Sequence, residues 1–448
     1  MKLKPASINS IALVIVLAGM VQPALAQDAY TFTARQAVDY AMKNSVNVRN
    51  ALKDVEIQIQ QNREITSAAY PQLSGNINLT DYLKLPTQLI PAEFFGGAPG
   101  TFLPVQFGTK WNGTYGATLN QVLFDGQVFV GLQAREASIE YRERNVGVTR
   151  ETIKANVYKI YYQLVVGKKQ IALIDANIAR AEKLLHDTKA MFENGFQEKL
   201  DVDRVNVLLS NLRTQKTRIE NQLQSGNVGL KYLMGMPVKN ELALTDTLSD
   251  SFLRDGVLND SVRFEDRQEY QLLKSLEKLN TYDIKRYRFT YIPTVSLTGN
   301  YNRMAMREKF TFFKGNEDWF TTAYIGLQVN IPIFDGFARD ARIRMAKLNL
   351  EKTQTSIEGL KNQINNEVAT ANITIRNAII AIDEQTKNMK LAEEVYEQTK
   401  KKYEAGLGSN LEITNAETDL REAQNNYFTA LYDGIIARVD YLRAIGKL

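Results

Sequence analysis

Two stretches of the chain, 126–194 and 336–405, contain no proline and little glycine. Read as single helices at about 1.5 Å per residue, each would be roughly 100 Å long. A helix of that length is stable only where an apolar stripe is covered along its whole length, and here the stripe repeats every seven residues. In the first stretch it runs through Val157, Leu164, Ile171, Ile178, Leu185 and Phe192, with Ile160, Ile174 and Ala181 in a second seam. In the second it runs through Val368, Ile375, Ile382, Met389, Tyr396 and Tyr403, with Ala371, Ala378 and Ala392. A strict heptad implies left-handed supercoiling against neighbouring helices. Asp125 and Asp335 precede the two runs as N-cap candidates, and Gly195 and Gly406 follow them as C′ candidates.

The two stretches are parts of an internal duplication. Tyr70-Pro71-Gln72-Leu73-Ser74 resembles Ile292-Pro293-Thr294-Val295-Ser296, and Leu123-Phe124-Asp125-Gly126 recurs as Ile333-Phe334-Asp335-Gly336, an offset of 210 residues (336 − 126). Phe192-Glu193-Asn194-Gly195 followed by Leu200-Asp201-Val202 recurs as Tyr403-Glu404-Ala405-Gly406 followed by Leu411-Glu412-Ile413. A first repeat therefore covers 27–235, with a helix over about 33–68, a strand pair over 72–124, a long helix over 126–194 and a return helix over 200–235. A second covers 263–448, with a helix over 263–288, a strand pair over 294–333, a long helix over 336–405 and a return helix over 410–446. Residues 236–262 connect the two at mid-height. Each short helix stops before its proline, as the steric limits on a residue preceding proline require.

The strand pairs alternate with period two. Leu73, Gly75, Ile77 and Leu79 alternate with Ser74, Asn76 and Asn78, while Ile325, Leu327 and Val329 alternate with Gln328 and Asn330. Long connections rich in glycine, proline and aromatics join the strands of each pair, as outside an outer-membrane barrel. Four strands cannot close a transmembrane barrel, whose smallest form has eight, so several chains must contribute to one sheet. Two copies give eight strands and three give twelve, and counting alone does not choose between them.

Composition narrows the setting. Lys2 and Lys4, an apolar run from Ile11 to Val21 and the small-residue pattern Ala24-Leu25-Ala26 read as a cleaved signal peptide over 1–26. That run is too short to span a bilayer as a helix, which needs about 20 residues. The chain has 0 cysteines, which excludes disulfides and acylation on an N-terminal cysteine, so no lipid anchor is expected. The formal charge of +5 is spread over interspersed positive and negative residues, an arrangement that argues against nucleic acid as a partner. His186 is the only histidine, and no spaced set of nucleophile, base or metal ligands is present. The sequence therefore points away from an enzyme, with no catalytic, cofactor-binding or metal site. A periplasmic coiled-coil scaffold or adaptor without a pore is the rival reading.

The order and spacing of the duplication, the Pro-Ile-Phe-Asp-Gly run at 332–336 and the paired glycine turns at 195 and 406 resemble the TolC family of outer-membrane efflux and export channels. The resemblance covers nearly all of the chain after residue 26. It implies a mainly α fold with a membrane β-barrel portion: a homotrimer whose four strands per chain make a 12-stranded barrel, and whose long coiled-coil helices form an α-helical barrel in the periplasm. It implies location in the outer membrane with a long periplasmic extension. Expected partners are outer-membrane lipid, a periplasmic adaptor (membrane fusion) protein and an inner-membrane pump of RND, ABC or MFS type. Phe124, Asp125, Gly126, Phe334, Asp335 and Gly336 would start the long helices at the barrel. The turns at Gly195, Leu200, Gly406 and Leu411 would meet the adaptor. By the same resemblance Tyr403 and Asp201 form a gating contact, Glu412 belongs to a carboxylate ring that favours cations, and Asn415 falls where relatives can carry a second acid. Gly408 stands where relatives often place an arginine.

Overall fold

The computed structural model describes residues 29–246, 262–315 and 317–448, so the expected signal peptide and most of the connector lie outside the described residues. The elements in chain order begin with β1 (Ala29–Phe32), α1 (Ala34–Asn44), α2 (Val46–Ser67) and β2 (Gln72–Asp81). Next come β3 (Thr87–Pro91), β4 (Phe102–Gln106), β5 (Trp111–Phe124), α3 (Gly126–Glu193), α4 (Lys199–Met234) and β6 (Glu241–Leu244). The chain continues with α5 (Gln268–Phe289), β7 (Thr294–Arg307), β8 (Phe320–Asn330), α6 (Ala338–Glu404) and α7 (Asn410–Ala444). None of the described helices is long and apolar enough to cross a membrane.

The chain divides into two compact units that cut across the two sequence repeats. Of the described residues, one holds those within 29–49, 149–263 and 365–448, and the other those within 50–148 and 264–364. Each draws on both halves because elements of the first repeat pack against, or pair with, elements of the second.

In the first unit, β1 and β6 form a parallel pair in the register Tyr30↔Leu242, joining the start of the first repeat to the connector that follows it. Thr33 caps α1 through a reciprocal box with Gln36, and the Asp246 carboxylate accepts the Ala34 N–H at 2.8 Å. The main core gathers Ala37 and Val38 of α1, Val157, Tyr161 and Leu164 of α3, Leu230 and Met234 of α4, Ile382 of α6 and Ile435 of α7. Farther along, Ala181 of α3 packs with Leu208 and Leu212 of α4, and Tyr396 of α6 packs with Ile413 and Leu420 of α7.

In the second unit, β2-β5-β7-β8 make an antiparallel sheet in that order, with β2 and β8 at its two edges. The central β5–β7 pairing joins the repeats in the register Thr118↔Asn300, with an irregularity between Val122 and Phe124. A side chain at Gly116 would collide with Asn302 and the Tyr301 carbonyl, so the close approach of β5 to β7 requires glycine there. The loop after β7 folds back onto the sheet: Arg307 pairs with Glu317 at 2.6 Å and lies over the Phe312 ring, itself seated against Gly113. Beside the sheet, buried Asn62 of α2 donates to the Arg135 carbonyl of α3 at 3.0 Å and accepts from Ser138 at 3.1 Å.

Four sequence expectations need correction. The helix over 33–68 is interrupted at Ser45, whose ψ of 130° breaks the α ladder while its carbonyl starts α2 through the Arg49 N–H. The second long helix begins at Ala338 rather than at residue 336, because Gly336 and Phe337 both adopt positive φ, 64° and 66°. The long connection after β2 holds a hairpin of its own, β3 paired with β4. In α3 beyond residue 170, the deeply buried seam is Ile174, Asn177, Ala181, Leu184 and Thr188. Ile171, Ile178 and Leu185 are half-buried and Phe192 is exposed, since the stripe drifts around the helix as the chain advances.

Two glycines separate conformational need from mere presence. Gly235 ends α4 at φ 73°, with its missing side chain facing the Asn44 carbonyl, whereas Gly229 lies inside α4 with nothing near its Cβ position. Gly235→Ala is expected to destabilise by more than about 1–2 kcal/mol, the left-handed penalty alone, with the clash added. Gly229→Ala is expected to stabilise by about 0.5–1 kcal/mol. Chemical unfolding of the two variants in detergent checks the opposite signs.

Candidate functional site at the helix turns

The α3–α4 and α6–α7 turns are built alike. Gly195 and Gly406 take φ of 80° and 74°, and both turns close with the paired bonds of a Schellman motif. In the first, Phe196 N–H donates to the Met191 carbonyl and Gly195 N–H to Phe192; in the second, Leu407 donates to Lys402 and Gly406 to Tyr403. Glu198 and Ser409 then cap α4 and α7. The turns carry apolar side chains in the open: Phe196 is 81% exposed and Leu407 77%, with Leu200 and Leu411 about half exposed.

Asp201 and Glu412 occupy matching places, third in their helices, where a carboxylate complements the positive helix start. Asp201 accepts the Glu198 N–H at 3.4 Å and lies 3.4 Å from the Arg204 guanidinium. Glu412 receives its backbone cap from Ser409 and lies 3.4 Å from Lys402 Nζ. Asn415 is exposed one turn along α7. Gly408 packs near the Tyr403 backbone and the Glu412 carboxylate, so a side chain there would require these neighbours to give slightly.

Tyr403 does not meet Asp201 within the chain. It is 3% exposed, in a cluster with Leu184, Val205, Ile413 and Leu420. Its hydroxyl lies 3.2 Å from Thr188 Oγ1 and donates to Met191 Sδ at 3.6 Å. The physical reason is its seam position: a side chain there points into the packed interface, while Asp201 is engaged by the start of its own helix. Thr188, fully buried, is the partner that sequence reasoning missed. Its signal was present as a hydroxyl in heptad phase with Ile174 and Ala181.

At the other ends of the long helices, Asp125 Oδ1 accepts the Gln127 N–H at 2.7 Å, and Gly126 leaves room for the Phe289 ring. Phe124 lies tilted against Phe129, with ring centroids 5.5 Å apart. Asp335 instead binds Arg339 through both its backbone N–H, at 3.0 Å, and its Nε, at 2.8 Å, so the two helix starts differ. Phe334 stays exposed and edges against Phe337.

A polar layer interrupts the seams between the apolar clusters of the first unit. Asn177 donates to Gln424 at 2.8 Å, and Arg180 donates to Asn177. Arg180 Nε lies 3.7 Å from the carboxylate of buried Glu417, and the guanidinium sits over the Tyr396 ring at 5.4 Å. Burial pushes the Glu417 carboxyl above its ordinary range, against the pull of Arg180, Arg421 and the Tyr396 phenol. Burial, together with the Glu417 charge, pushes the Tyr396 phenol up to about 12. A carboxyl raised on folding binds its proton more tightly in the native state. The stability it contributes is complete below the ordinary carboxylate range and is lost as pH rises through the raised value. Glu417→Gln should therefore match the wild type in thermal stability at acid pH and exceed it at pH about 8. Identical pH dependence of the two melting temperatures would contradict this account.

Among the described residues this arrangement offers packing, exposed apolar turns and chargeable tips. Residues 277–447 match the family model described as Outer membrane efflux protein. The chain is 22% identical over 451 residues to the outer membrane efflux protein BepC of Brucella suis, covering 98% of this chain and 90% of that protein. It is 20% identical over 347 residues to the outer membrane protein TolC of Vibrio cholerae, covering 74% of this chain and 76% of that one. Its fold is similar to that of CusC, whose crystal structures concern its folding and transmembrane channel formation. That match has a TM-score of 0.75 at 17% identity and covers 94% of this chain and 95% of CusC. The family match over the C-terminal part of the chain, relatives aligned along most of its length and a shared fold together make this chain similar to outer-membrane efflux proteins of the TolC type.

Proposed function

We propose that the chain is one protomer of a homotrimeric exit duct that crosses the outer membrane and extends through the periplasm. It serves a multi-component efflux or type I secretion system and is opened at its periplasmic tip by an adaptor protein and an inner-membrane pump of RND, ABC or MFS type. The observation that carries this reading is the four-stranded sheet, which has one apolar face, one polar face and two unpaired edges at β2 and β8. Its strands have 10, 14, 14 and 11 residues, long enough for the roughly 9–11 that a tilted strand needs to span a bilayer. Open edges cannot persist in lipid, where each unpaired backbone group costs several kcal/mol, so β2 and β8 must find strands on other copies. The family resemblance supports three copies and a 12-stranded closure.

The barrel would lie in outer-membrane lipid, after export by a cleaved signal peptide over 1–26 and without a lipid anchor. The helix starts at Phe124, Asp125, Gly126, Phe334, Asp335 and Gly336 would lead from barrel to tunnel. Exposed Phe196, Leu200, Leu407 and Leu411 around Gly195 and Gly406 supply the apolar surface an adaptor would cover. Asp201, Glu412 and Asn415 are the polar groups available for contacts between neighbouring copies at the gate. Tyr403 would take part by holding the two helix pairs together through Thr188, or by leaving that site for Asp201 of a neighbouring copy. A single hydrogen bond of this kind contributes roughly 0.5–1.5 kcal/mol, small enough for a bound partner to overcome.

Single-channel recording on the detergent-purified, reconstituted protein tests the reading. The wild type is expected to show a low, cation-preferring conductance. Tyr403→Phe combined with Asp201→Ala should raise the conductance several-fold, and Glu412→Gln should reduce the cation preference. Conductance unchanged by the double substitution would keep the channel and remove the gate assignment. A folded, reconstituted oligomer with no conductance would favour a periplasmic scaffold.

A further inference from the structure

The sheet contains only three charged residues, Asp81, Arg303 and Arg307, and strand register places all of them on one face. Residues directly opposite one another in a ladder project from the same face. One row runs Asp81, Trp111, Arg307 across β2, β5 and β7, and another runs Ile77, Tyr115, Arg303, Thr321 across all four strands. That face also carries Leu73, Tyr301, Ile325 and Leu327, so it is the apolar one. Its charges sit toward the end where the β7–β8 loop folds back, and Arg307 is held there by Glu317.

The opposite face reads Asn76, Gly116, Asn302, Thr322 in one row and Ser74, Thr118, Asn300, Tyr324 in the next. Asn300 donates to Thr118 at 3.0 Å along this face. From β2 to β8 the face carries amides, hydroxyls and a few apolar side chains, and no charged residue. In an outer-membrane barrel the apolar face meets lipid and the polar face lines the interior.

We infer that the sheet-built stretch of the duct has an electrically neutral lining, so that it sorts solutes by size and hydrogen bonding and passes cations, anions and zwitterions alike. This rests on the channel reading above. A surface without fixed charge concentrates neither counter-ion, whereas even one ring of carboxylates or guanidinium groups would favour one sign of solute. Amides and hydroxyls offer both donors and acceptors, so a polar solute can exchange water for the wall without needing a particular charge. Ion preference in the whole channel must then originate outside this sheet.

The absence of cysteine allows a direct test on the full chain. Single cysteines are placed at Asn76, Asn300 or Gln328 on the polar face and at Leu73 or Ile325 on the apolar face. Each protein is reconstituted in planar bilayers and treated with methanethiosulfonates bearing either a sulfonate or a trimethylammonium group. The ratio of cationic to anionic reaction rates is divided by the ratio for a small free thiol. The polar-face cysteines should react and lower the conductance, with corrected ratios within about threefold of one, and Thr118→Asp beside Asn300→Cys should shift its ratio toward the cationic reagent by about tenfold. Reactive polar-face cysteines with corrected ratios beyond about tenfold would overturn the neutral lining and keep the pore. Cysteines reactive only on the apolar face would overturn the pore orientation and the inference with it.

Discussion

The long helices cannot stand alone, and the rest of the structure follows from how their stripes are covered. An isolated helix gains little from its own hydrogen bonds, so tertiary packing must hold it. In α3 the buried positions Ile174, Asn177, Ala181, Leu184 and Thr188 advance by threes and fours; in α6 Ala371, Ile375, Ala378 and Ile382 do the same, followed by Tyr396 and Tyr403. The cover comes from α4 and α7, through residues such as Leu208, Leu212, Ile413 and Leu420. Each such aliphatic side chain contributes about 1.5–3 kcal/mol on burial. Polar members of the seams are tolerated where they find partners, as Asn177 does with Gln424 and Thr188 with Tyr403. Glu417 has a looser ionic partner in Arg180, so burial dominates its protonation.

The sheet presents the complementary problem. Its backbone groups are satisfied between β2, β5, β7 and β8, while the outer edges of β2 and β8 are left open. The two repeats meet at the β5–β7 pairing, so neither half forms this sheet by itself. Gly116 permits the close approach of Asn302, and the irregularity after Val122 brings Phe124 opposite Val295, on the apolar side. A sheet so divided has one apolar and one polar surface, and the outer edges of β2 and β8 leave backbone groups unpaired within the chain.

At the helix turns, legibility followed the backbone. Gly195 and Gly406 could be identified because a Schellman turn needs a left-handed residue and glycine adopts it without steric cost. Asp201 and Glu412 were visible as carboxylates just beyond those turns, yet their engagement by Glu198, Arg204 and Lys402 depends on side-chain placement. Tyr403 was recognised both as a seam residue and as a gating candidate, and within the chain the seam governs its direction. Thr188, Arg180 and Glu417 escaped notice because a polar residue in a heptad reads as a gap unless its partner, more than two hundred residues away, is known.

The sequence by itself determined the long helices, their terminating glycines, the two-faced strands and the duplication that orders them. These depend on local rules: missing proline, seven-residue and two-residue periodicity, and the conformational freedom of glycine. Only the tertiary structure decided that Ser45 breaks the first helix, that Phe337 delays the start of α6, and that β1 and β6 pair in parallel. Only it decided that compact units draw on both repeats and that all three sheet charges share one face. These outcomes depend on strand register and side-chain packing between distant segments, and no local periodicity encodes which distant partner a residue will meet.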